Sequence, residues 1–207
     1  MFKTRNFEIN LSKIETLSYM MFICGVDEAG RGPIAGPVFA AAVILNPHKD
    51  IANLDDSKKL SKKKRDEIYN EIQLKALDIS FSMVSSQEID QINILQASLL
   101  AMQKAILGLK IKPQMTYIDG TFCPKIPGMK MESVIKGDQL IKEVSAASII
   151  AKVERDRYMM KLDDQFPEYQ FCRHMGYPTK LHLELIKKYG VKDFYRKTFK
   201  PVSDLIN

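Results

Sequence analysis

Asp27 and Glu28 stand side by side where the apolar run Met21 to Val26 meets a glycine-rich stretch. Two further acids repeat that setting: Asp119 follows Met-Thr-Tyr-Ile, and Asp138 follows Val-Ile-Lys-Gly. Strand ends line the crevice of an open α/β sheet, where ligands bind. Four carboxylates converging there would repel one another unless cations neutralised them. Hard oxygen ligands of this kind select Mg²⁺ or Mn²⁺. Two such ions can activate a water and stabilise the leaving oxygen in phosphodiester hydrolysis. Each acid also has a plainer role open to it. Asp-Gly is a favoured turn dipeptide, Asp138 precedes a helical stretch where Asp is a preferred N-cap, and Asp27-Glu28 fits a solvated strand end.

Directly after the first pair comes Gly30-Arg31-Gly32-Pro33, within a segment (29–37) holding three glycines and two prolines. Glycines let a ligand approach main-chain N–H groups closely, and Arg31 could meet a phosphate or brace the loop. The spacing is not that of a Walker loop, and a structural turn between strands is the other reading. Ser57, Lys58 and Lys59, just before a helix start, offer a hydroxyl and two ammonium groups for phosphate; a solvated charged face is the alternative. Tyr177, in His174-Met-Gly-Tyr-Pro-Thr-Lys180, could stack on a sugar or base edge, or simply cover the core at a turn.

The elements that must position these residues follow from periodicity. Apolar runs predict strands over 21–27, 38–45, 79–84, 115–118 and 133–135. Ser61 suits the N-cap of a charged helix to about Leu77. Apolar residues from Ile89 through Ile106 recur at helical spacing, predicting a helix over 86–109. Another helix is expected from about Gln139 to Asp164, ended by Pro167, and one more over Lys180 to Tyr189. Three strands in succession suggest an antiparallel start, and later strands separated by a helix suggest parallel additions, so the sheet should be mixed.

The chain has 207 residues, enough for one sizeable domain. Lys+Arg 31 against Asp+Glu 25 leaves a net charge of +6, which suits a polyanionic partner. Three widely spaced cysteines, Cys24, Cys123 and Cys172, argue against a disulfide framework or zinc site and for a reducing cytoplasm. No run of 18 apolar residues is present, so no membrane span is expected. Residues 1–20 mix charges throughout and read as an N-terminal extension.

With these residues assembled, the chain closely resembles ribonuclease HII, the type 2 ribonuclease H family. The stretches that carry the resemblance are GVDEAGRGPIAGPV (25–38), LDDSKKLS (54–61), EIDQINILQAS (88–98), YIDG (117–120), IKGD (135–138), EVSAASIIAKVERDRYM (143–159) and HMGYPTKLHLE (174–184). The resemblance implies a ribonuclease H-like α/β fold: a five-stranded mixed sheet with flanking helices and a helical C-terminal portion. It divides the chain into residues 1–20 as an extension, 21–165 as the catalytic core, and 166–207 as a substrate-binding portion of the same domain.

It also implies a monomeric endonuclease with two divalent cations, Mg²⁺ or Mn²⁺. The substrates implied are RNA–DNA hybrids and duplex DNA containing ribonucleotides, cut to give 3′-hydroxyl and 5′-phosphate ends. The family's metal-binding acids fall on Asp27, Glu28, Asp119 and Asp138. Gly30, Arg31 and Gly32 match the loop that senses the ribose 2′-hydroxyl, and Tyr177 matches the tyrosine at the RNA-to-DNA junction. Met175 stands where a lysine is commoner, and Thr121 where Asn is usual. Ribonuclease HIII fits less well, because it usually carries an extra N-terminal domain and a different loop after its first acids. A catalytically silent binding module on the same fold would lack one of the four acids, and all are here.

Overall fold

The structure, a computed structural model, describes residues 21–52, 54 and 60–206. The expected N-terminal extension (1–20) and Ser57, Lys58 and Lys59 lie outside the described residues. Five strands form one sheet in the order β3-β2-β1-β4-β5. β1 (Ile23–Ala29), β2 (Val38–Ile44) and β3 (Asp78–Val84) pair antiparallel, whereas β4 (Met115–Asp119) and β5 (Met131–Val134) join β1 in parallel. The mixed sheet is therefore as expected.

β2, Val-Phe-Ala-Ala-Ala-Val-Ile, has no polar residue because helices cover both faces of it, and all seven residues are buried. On one face Cys24, Val26, Ala40, Ala42 and Ile118 pack against α2 (Ser86–Leu107). On the other, Ala41 and Val43 meet α1 (Lys62–Lys75) and α4 (Lys142–Gln165). Small residues let α4 lie close. A Cβ on Gly25 would sit 2.0 Å from the Glu143 carbonyl carbon, so β1 accepts only glycine under the start of that helix.

Ser61 caps α1 as expected, its hydroxyl accepting from Lys64 N at 3.3 Å. α2 opens with a capping box between Ser85 and Glu88. It is not continuous: Asn93 adopts φ +65°, and its side chain caps the second half by accepting from Leu95 N and Gln96 N. The long helix expected from Gln139 also breaks. Ile141 is extended, leaving a single turn, α3 (Gly137–Leu140), before α4. Beyond Pro167, the short helix α5 (Phe171–His174), α6 (Lys180–Tyr189) and α7 (Ser203–Ile206) complete the chain. A third apolar cluster ties this portion to α4 and to the glycine loop through Ile34, Ala35, Met159, Tyr169, Phe171 and Tyr195.

Candidate active site

β1 runs two residues further than its apolar pattern suggests, so Asp27 and Glu28 lie inside its paired length, opposite Ala41 and Ala40. On the other side, pairing with β4 ends at Val26 and Ile118, which puts Asp119 next along the strand beside Asp27. Asp119 in turn accepts a hydrogen bond from Gly137 N at 2.8 Å. That bond fixes the start of α3 and brings Asp138, 1% exposed, to the same end of the sheet. The helix N-cap is Lys136, in the left-handed region, so capping does not explain Asp138. Gly120 adopts φ +106°, a bend that glycine takes easily, while its N–H still donates to Val134 O of β5 at 3.1 Å.

Burial, with Glu28 and Asp119 as like-charged neighbours, holds the Asp27 carboxyl well above the usual carboxylate range, against a hydrogen bond from Ser148. Burial also raises Glu28, which Arg31 partly offsets. Glu28 Oε2 is buried with no hydrogen-bond partner. Crowded, desolvated carboxylates with an orphaned oxygen are a donor set whose charge a divalent cation would offset. Among the described residues no three acidic, histidine or cysteine side chains close around one point. An open set of oxygens still fits Mg²⁺ or Mn²⁺, which keep waters and take substrate phosphate oxygens as ligands.

A cleft of about 330 Å³ opens beside these acids, lined by Glu28, Gly30, Arg65, Ser148, Lys152 and Tyr177 among others. Arg31 reaches back to Glu28 at 3.3 Å with half its side chain exposed. Tyr177, 44% exposed, lies over the loop, and a Cβ on Gly32 would meet its ring at 3.6 Å. Met175, in the left-handed region, offers its carbonyl to Arg155 and packs against the C-terminal cluster.

Sequence reasoning missed the two residues beneath the loop. Arg155 donates to the carbonyls of Ala35, Pro37 and Met175, and Arg196 to those of Gly30, Arg31 and Gly36. Both are essentially fully buried. In sequence each sits among other charged residues and carries no pattern that separates it from a solvated basic face. A pair of stacked histidines, His174 and His182, 3.9 Å apart, supports the Tyr177 turn from below and was equally silent.

The family model described as ribonuclease HII matches residues 24–202. The chain is 54% identical to the ribonuclease HII of Shewanella piezotolerans over 180 residues, covering 87% of this chain and 89% of that one. It is 50% identical to the ribonuclease HII of Vibrio parahaemolyticus over 200 residues, covering 97% and 94%. The crystal structure of ribonuclease H2 from Pyrococcus horikoshii superimposes with a TM-score of 0.75 at 29% identity, covering 89% of this chain and 97% of that one. Among the described residues no helix is long and apolar enough to cross a membrane. With the fold and these likenesses in agreement, the chain belongs to the ribonuclease HII family and is a ribonuclease H enzyme.

Proposed function

We propose that the chain is an endonuclease that cuts the RNA of RNA–DNA hybrids and the 5′ side of single ribonucleotides embedded in duplex DNA, with Asp27, Glu28, Asp119 and Asp138 as its metal-binding catalytic acids. The observation that carries this reading is the convergence at one sheet end: Asp27 and Asp119 on adjacent parallel strands, with Asp138 tied in through the Gly137–Asp119 bond. Two divalent ions, Mg²⁺ or Mn²⁺, held by these four residues would supply a nucleophilic water and stabilise the leaving 3′-oxygen, giving 3′-hydroxyl and 5′-phosphate ends.

The chain's own residues bind and orient. Ser148 and the Glu28 amide hold the Asp27 carboxylate in place. Gly30, Arg31 and Gly32 read the ribose 2′-hydroxyl at short range, the group that separates RNA from DNA at one nucleotide. A half-exposed ion pair such as Arg31–Glu28 contributes about 1 kcal/mol or less, so a substrate phosphate can draw Arg31 away. Tyr177 stacks at the RNA-to-DNA junction, and Ser57, Lys58 and Lys59 contact phosphates. Residues 21–165 act as the catalytic core and 166–207 as the substrate-binding portion of the same domain, in a cytoplasmic monomer whose task is ribonucleotide removal during DNA replication and repair. The free thiols suit that compartment.

The test is to incubate the protein with duplex DNA carrying one ribonucleotide, and with an RNA–DNA hybrid, with and without Mg²⁺ or Mn²⁺, and to map the cut ends. Metal-dependent cleavage 5′ to the ribonucleotide is expected, and its loss in folded Asp27→Asn and Asp138→Asn. Full activity in either variant would overturn the four-acid reading.

A further inference from the structure

The glycine loop does not hold its own shape. Main-chain bonds zip it to the C-terminal segment: Gly36 N donates to Phe194 O at 2.8 Å, Arg196 N to Ile34 O at 2.9 Å, and Ala35 bridges Tyr195. From that segment the Arg196 side chain passes under the loop and donates to three of its carbonyls, at 2.6 Å to Gly30, 3.0 Å to Arg31 and 3.0 Å to Gly36. The segment is itself fastened from outside by Asp90 on α2, which accepts from Lys197 N, Thr198 N and the Thr198 hydroxyl.

A trans peptide sets the N–H of each residue opposite the carbonyl before it. With the carbonyls of Gly30 and Arg31 drawn down to Arg196, the N–H groups of Arg31 and Gly32 face the other way. The next residue, Pro33, has no N–H to add. Resting on the active-site reading above, we propose that Arg196 is a positioning residue for substrate reading: it locks these two peptide planes so that Arg31 and Gly32 present a rigid pair of main-chain donors to the ribose 2′-hydroxyl. Burial lowers the Arg196 pKa to about 9, with Arg155 nearby adding to the effect, so the guanidinium stays charged at neutral pH. A buried cation hydrogen-bonded to carbonyls draws their electron density inward and sharpens the donors on the far side of the same peptides. Lysine could satisfy one carbonyl at a time, whereas the planar guanidinium reaches all three.

The test uses the full chain carrying Arg196→Lys and, as a second variant that leaves the buried cation in place, Asp90→Asn. Two quantities are read: kcat/KM on duplex DNA with one ribonucleotide, and Ki for an all-DNA duplex of the same sequence as a competitor. Arg196→Lys is expected to lose about tenfold or more in kcat/KM while Ki stays within about a factor of two, because the all-DNA duplex has no 2′-hydroxyl to be read. Asp90→Asn should show the same selective loss, several-fold in size, and decides the matter if Arg196→Lys does not fold. An unchanged kcat/KM, or equal losses in both quantities, would overturn the positioning role. Failure of the wild-type protein to cleave either substrate in Mg²⁺ or Mn²⁺ would instead sink the underlying active-site reading.

Discussion

Gly30→Ala and Gly32→Ala, two residues apart in one loop, should have opposite consequences. Gly30 sits at φ +102°, and a Cβ there would lie 2.1 Å from Arg155 Nε and 2.5 Å from its Cδ. Alanine in that backbone region costs about 1–2 kcal/mol. Moving Arg155 also loosens its bonds to Ala35, Pro37 and Met175, each worth about 1.5–3 kcal/mol for a charged donor. If about one such bond is lost in full, the total is about 3–5 kcal/mol. For a chain of this size that lowers Tm by about 10 °C. Gly32 carries neither burden: its φ is not positive, and its nearest neighbour, Tyr177 Cε1 at 3.6 Å, is an ordinary contact. Gly32→Ala should change stability by about 0.5 kcal/mol in either direction. Its methyl instead enters the space between the loop and Tyr177, where the ribose is proposed to sit, so cleavage should fall at least about tenfold with Tm nearly unmoved. Thermal melts by circular dichroism, alongside cleavage of a single-ribonucleotide duplex, read both effects. A Gly32→Ala protein with wild-type activity, or a Gly30→Ala protein that melts with the wild type, would refute the reasoning.

Asp27→Asn removes one charge from a crowded buried set, so the metal-free variant should melt above the wild type while losing activity; a lower Tm would show that the repulsion is already relieved. Tyr177→Ala should harm cleavage at one embedded ribonucleotide more than cleavage of a long hybrid, and equal losses in paired assays would remove its junction role. His182 donates to Tyr177 O and accepts from the Tyr195 hydroxyl, and burial holds its pKa down to about 4. Its contribution to stability is therefore intact above the unfolded value near 6.5 and should fall by about 3 kcal/mol as pH drops from there through 4, read as the difference in melting between wild type and His182→Gln across that window; an identical pH dependence in the two proteins would contradict it.

The sheet was legible because its strands obey one rule each. β2 shows an unbroken apolar run because both of its faces are covered, and β3 shows a looser pattern because it is an edge strand whose Phe81 and Met83 stay half exposed. The two helix breaks escaped detection for a common reason. Asn93 and Ile141 interrupt helices without disturbing the spacing of apolar residues around them. Periodicity measures which face is buried, not whether every backbone hydrogen bond is made. The break at Ile141 matters most, since it lets Asp138 sit on its own buried turn beside Asp119 instead of at the head of a long helix.

The strand-end acids announced themselves because a carboxylate after an apolar run is out of place unless it meets something. Arg155 and Arg196 had no such contrast. Each lies in a stretch where charge is ordinary, and what distinguishes them is the direction of the side chain, inward to loop carbonyls that come from more than a hundred residues away in sequence. Such contacts leave no local trace. They do leave a requirement: a loop with three glycines and two prolines forms few bonds of its own, so its carbonyls must be satisfied from outside. Asking where the carbonyls of residues 30–37 would go points to a long cationic donor elsewhere in the chain. With 31 lysines and arginines to choose from, only the fold could say which.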